Sequence, residues 1–83
     1  MDDTALPPEL AERSASHLIT VAWSHYLRRH DDVALAALTA ARDAAPEQLM
    51  FTRRVHDMVH HMLRRDRRGR RSLRHLATFV GMQ

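Results

Sequence analysis

The chain reads as an all-α fold of four helices arranged as antiparallel helical hairpins, and three observations lead there. Apolar residues recur at three- and four-residue steps, the two glycines and three prolines fall where helices would begin or end, and no stretch alternates apolar and polar residues as a strand does. Eighty-three residues supply one hydrophobic core and no more, so a single helical domain is expected over 1–83, with 1–7 and 82–83 loose.

The first helix is expected from Pro8 to about Arg29, because proline suits a first turn where its missing N–H costs nothing. Its apolar positions include Leu10, Ala15, Leu18, Ile19, Ala22, Trp23, Tyr26 and Leu27. Asp31 and Asp32 offer an N-cap and negative charge at the start of a second helix, Val33 to about Ala45, after a turn short enough to force an antiparallel neighbour. That second helix is rich in alanine, which lets two backbones approach closely. Pro46 ends it and opens a third helix, about Glu47 to Asp66, with Phe51, Val55, Met58, Val59, Met62 and Leu63 on one face. Gly69 can adopt the left-handed conformation that stops a helix, Ser72 is a cap for a last helix from Leu73 to Val80, and Gly81 closes it.

Composition removes several function classes. The absence of cysteine excludes disulfides, thiolate zinc sites and cysteine nucleophiles. No apolar run approaches the roughly 20 residues of a membrane span, and Met1-Asp2-Asp3 is acidic where a secretory signal is basic, so a cytoplasmic protein with no membrane contact is expected. All thirteen basic side chains are arginine, and they are unevenly placed. Residues 1–46 carry four arginines against seven acids, a net of −3, whereas residues 47–83 carry nine against three, a net of +6. Such polarity can set one protomer's acidic half against another's basic half, or direct the basic half to an anion.

The spacing of the first hairpin, Leu18, Val21-Ala22, His25, then Ala34, Leu38, Ala41 and Pro46, resembles the tetratricopeptide repeat, in which small residues stand where two helices cross and bulk fills the space between them. Leu18 replaces the usual large aromatic and His25 the usual tyrosine. The run from Ala22 through Asp31-Asp32 to Ala41-Arg42-Asp43-Ala44-Ala45-Pro46-Glu47-Gln48, then Val55, Val59, Leu63-Arg64-Arg65, then Leu73, Leu76-Ala77, is similar to the C-terminal region of actinobacterial helix-turn-helix transcriptional regulators. That resemblance implies a sensing, dimerising or partner-binding module of a transcriptional regulator. It leaves no residues for the DNA-binding domain, so the chain would be a fragment or a stand-alone relative acting through another protein.

Two sets of residues are candidates for partner contact. In a tetratricopeptide hairpin the row Ile19, Trp23 and Tyr26 would line the concave surface as an apolar groove. Coverage by a later helix as core is the reading to prefer, because the single Trp and single Tyr of a small domain are usually needed for burial. Arrays of this kind need about three repeats to complete a core, so some apolar surface should remain, with a homodimer as its simplest cover. The segment 64–74 holds seven arginines, Arg64, Arg65, Arg67, Arg68, Arg70, Arg71 and Arg74, suited to an acidic protein surface or to phosphate, although a solvated helix end with cations near its C-terminus explains much of the same composition without any partner. Nucleic acid is the weaker of the two, because no aromatic is interleaved for base stacking. His56 and His60 have zinc-like spacing, but a third ligand and a second shell are not evident, so surface histidines are expected, with no metal and no cofactor. Ser14, Ser16, Ser24 and Ser72 lack a glycine-rich elbow, and no phosphate-binding glycine loop exists, so no catalytic residue is assigned and the chain is not expected to be an enzyme. The function expected is a non-enzymatic protein–protein interaction module, dimerising and serving a bacterial transcriptional regulator, with a small nucleic-acid-binding accessory protein as the alternative.

Overall fold

Proline and glycine punctuate the computed structural model where the sequence places them. It describes residues 8–67 and 69–81; the expected loose ends 1–7 and 82–83, and Arg68, lie outside the described residues. Helix α1 spans Pro8–Leu27, α2 Asp31–Ala44, α3 Pro46–Phe51, α4 Arg53–Arg65 and α5 Arg71–Phe79. The described residues are 85% helical and contain no strand, so the fold is all-α.

The third expected helix is two helices. Thr52 leaves the helical conformation at φ −93°, ψ 113°, and its hydroxyl donates back to the Gln48 carbonyl at 2.5 Å, so it does not cap α4 with its side chain. Phe51 therefore does not share the buried face of Val55 and Met58; it stands 82% exposed. Two expected caps also differ. Asp31 begins α2 without a side-chain cap bond, because its carboxylate is engaged elsewhere, and Ser72 lies inside α5, whose N-cap is Arg70. Gly69 is left-handed at φ +63°, but it turns the link after α4, which has already ended at Arg65.

The turn from α1 to α2 has a defined motif. Arg29 N–H donates to the Tyr26 carbonyl at 3.0 Å and His30 N–H reaches the His25 carbonyl at 2.9 Å, the paired bonds of a Schellman ending. Arg29 holds the left-handed position at φ +63°, where glycine is the usual occupant. The apolar pair that normally accompanies the motif is replaced by the stacked rings of His25 and His30, with centroids 6.1 Å apart.

One hydrophobic cluster draws on all five helices. Ala15, Ile19 and Ala22 of α1 are buried in it together with Ala34, Leu38 and Ala41 of α2, and the alanines let the two packed helices approach closely. Leu49 enters from α3, Val55, Met58, Val59 and Met62 from α4, and Leu73, Leu76, Ala77 and Val80 from the C-terminal end. No polar or charged residue is buried among the described residues, so the core stands on apolar burial, about 25 cal/mol per Å².

Two substitutions test this account. Arg29→Gly removes the left-handed strain and should raise unfolding free energy by about 0.5–1 kcal/mol in urea titration, the gain being reduced by the greater freedom of glycine in the unfolded chain. Ala22→Leu should lower it by about 1–3 kcal/mol through overpacking at the α1–α2 crossing.

Candidate functional site

The aromatic row of α1 lies beneath α4. Ile19 is 4% exposed and belongs to the core, which removes it from any partner contact. Trp23 and Tyr26 pack against that core half-buried, their rings 5.3 Å apart, and the polar side of α4 closes over them. The Arg54 guanidinium sits 5.0 Å from the Trp23 ring centre, and Arg65 sits 5.0 Å from that of Tyr26. The Tyr26 hydroxyl is hydrogen-bonded to His61 Nδ1 at 2.5 Å, with the two rings stacked. Of the two readings of Ile19, Trp23 and Tyr26, the open apolar groove gives way to coverage by a later helix, and the cover over the two rings is cationic. The reason is geometric: α4 has its own apolar stripe to bury, and seating that stripe brings Arg54, His61 and Arg65 onto the rings.

The arginine segment divides into inward and outward members. Arg65 grips Asp31 with two bonds, Nε to Oδ2 at 2.9 Å and Nη2 to Oδ1 at 2.7 Å, and Nη2 also reaches the Tyr26 carbonyl at 3.3 Å. A cation at the C-terminal end of α1 and a carboxylate at the N-terminus of α2 both sit favourably in the helix fields, so this pair fastens the turn at both ends. Arg70 pairs with Asp32 at 2.8 Å and with Asp66 at 3.2 Å, and its backbone N–H donates to Asp66 at 2.8 Å. Arg65 and Arg70, expected to face a partner, are therefore engaged in internal clasps, with 31% and 25% of their side chains left exposed. Arg64, Arg67, Arg71 and Arg74 remain exposed, and Arg68 lies outside the described residues.

The clasp hydrogen bond from Arg65 to Asp31 raises the Arg65 guanidinium above its ordinary value; burial opposes this, and the charges of Asp31 and Tyr26 assist it. A raised basic group contributes stability that is fully present below its ordinary value and is lost only as pH rises through the folded one. The Arg65 side of the clasp is thus constant through the neutral range. An open cleft of about 440 Å³ lies beside the clasp, with Arg29, His30, Val33 and Arg67 on its walls. Its carboxylates are already matched by Arg65 and Arg70.

The histidines do not converge. His56 Nε2 bonds the Met50 carbonyl at 2.6 Å, His60 and His61 lie side by side with centroids 5.7 Å apart, and no group of three or more metal-ligating side chains forms among the described residues. Ser16 accepts a hydrogen bond from Gln48 at 3.1 Å. No helix among the described residues is long and apolar enough to cross a membrane.

The feature that sequence reasoning missed is the corner between α3 and α4. Met50 is 40% and Phe51 82% exposed, adjacent in sequence and on the wall of one shallow hollow of about 440 Å³. Its signal was Thr52, a residue type that often precedes a helix, standing just before the regular period of α4. No protein-family model matches the chain, and no curated protein or solved structure is significantly similar to it.

Asp31→Asn and Arg65→Ala should each lower stability by about 1–2 kcal/mol, discounted for partial exposure, and the double variant should cost little more than either alone. Chemical denaturation of the four proteins of this cycle measures the coupling. Arg65→Lys should fall short of the native side chain because a lysine cannot make the forked contact.

Proposed function

We propose that this chain is a non-enzymatic protein–protein interaction module, tetratricopeptide-like in its first hairpin, which associates with itself or with a bacterial transcriptional regulator. The exposed Met50–Phe51 corner carries the reading. Exposing a phenylalanine forgoes roughly 1.5–3 kcal/mol of burial, and here it stands beside a second large apolar side chain on helices whose own core is filled. Aromatic and methionine side chains are enriched in the buried centres of protein interfaces. Trp23 and Tyr26 contribute partly covered rings, while Arg64, Arg67, Arg71 and Arg74 supply positive charge that would favour an acidic surface on the partner. Support for the tetratricopeptide-like packing comes from the buried Ala22, Ala34, Leu38 and Ala41, the small and bulky positions of that repeat. The tie to a regulator rests on the sequence resemblance alone.

A nucleic-acid-binding accessory protein is the second reading, and the same four exposed arginines favour it. Loss of Arg65 and Arg70 to internal pairs weakens it, because two fewer guanidinium groups are left for phosphate.

Phe51→Asp tests the first reading. The substitution is at an exposed site and should leave the thermal midpoint nearly unchanged, while a tagged chain that co-purifies with a helix-turn-helix regulator should lose it. In fluorescence anisotropy with duplex DNA, no binding is expected at about 100 mM salt. Binding that weakens steeply with added salt would instead establish the second reading.

A further inference from the structure

We infer that the Phe51 corner is a two-fold interface and that its partner is a second copy of this chain, with the acidic hollow of each copy set against the arginine-bearing hollow of the other. This rests on the interaction-module reading and names the occupant of its apolar surface. The Phe51 ring is a wall shared by two shallow hollows. One, of about 300 Å³, includes Glu12, Glu47 and Thr52. The other, of about 440 Å³, includes Met50, Arg53, His56 and Asp57. A ridge with a hollow on either side is the shape that a two-fold axis can make self-complementary, since the same patch is then presented by both partners.

Charge selects the orientation. Glu12 and Glu47 place two negative charges in one hollow, and none of Glu12, Glu47 and Arg53 has an ion pair among the described residues. Acidic hollow against acidic hollow would place like charges together, which is costly. A two-fold axis passing by Phe51 avoids this. It lays the two rings together over Met50 and sets Glu47 of each copy toward Arg53 of the other, so the favourable pair occurs twice. Asp57, in the same hollow as Arg53, tempers the attraction, and His56 is held against α3 by its bond to the Met50 carbonyl at 2.6 Å. With one aromatic and one thioether at its centre the interface is smaller than the standard class, and a dissociation constant on the order of 10–100 µM is expected.

Sedimentation equilibrium of the full chain tests the inference with charge reversals. Glu47→Arg alone puts two arginines opposite each other, and Arg53→Glu alone does the same with two glutamates. Each should weaken self-association about 10-fold or more. Mixing the two variants creates a heterodimer with opposite charges at both positions, and association should return to within about 3-fold of the unmodified chain. Phe51→Ser should abolish association in every background. Circular dichroism checks that each variant is folded, and Glu12→Arg stands in if Glu47→Arg is not.

A chain that stays monomeric to about 1 mM overturns the inference, as does a mixture that associates no better than either variant alone. Retention of a Phe51-dependent regulator complex by such a monomer would sink this inference and leave the module reading intact. Loss of both would remove the two together.

Discussion

The clasp between Arg65 and Asp31 is the interaction on which the arrangement of the helices depends. Apolar burial draws α4 toward the first hairpin, but apolar contact has no direction, and methionines such as Met58 and Met62 adapt to more than one seating. The forked ion pair fixes one. It ties the last residue of α4 to the first residue of α2 and to a carbonyl at the end of α1, so three helices meet at a single guanidinium. Arg70 repeats the device one step later by holding the link to α5 against Asp32 and Asp66. The charge polarity of the sequence is thereby partly spent within one molecule, where the basic half folds back onto the acidic turn.

This accounts for the placement of the aromatic rings. Trp23 and Tyr26 need cover, and the helix that covers them brings cations to their faces. Arginine over an aromatic face keeps its polar edge in water while its plane shields the ring, so the rings are protected without being sealed. The same seating leaves beside Ile19 only a small hollow of about 180 Å³, walled by Ser16, Thr20, Gln48, Thr52 and Arg54. Apolar surface is left instead where the chain enters α4, with Phe51 the most exposed large apolar side chain among the described residues.

Much of the backbone was legible because its signals are local. Pro8 and Pro46 open helices, Gly81 closes one with a positive φ, and the steps Ala15, Ile19, Ala22 and Val55, Met58, Met62 mark the buried stripes correctly. Two things were not legible, for different reasons. The break at Thr52 is a local choice in which one hydroxyl turns back to its own helix, and a threonine tolerates either outcome. The pairing of Arg65 with Asp31 spans thirty-four positions, and nothing in an arginine-rich segment distinguishes the members that will point inward. Composition described the segment as a single basic patch, whereas the fold sorts it residue by residue.

The joint at Thr52 has a consequence for how this molecule can change. Successive helical residues are rotated by about 100° around the axis, so adding or deleting one residue between Leu49 and Phe51, just ahead of the joint, would swing the Phe51 ring through that angle while Leu49 stayed in the core. The hydrophobic character of this surface is then governed by chain register, and a length change too small to disturb the interior could hide or unveil it. Relatives with identical cores could thus differ in whether they are sociable.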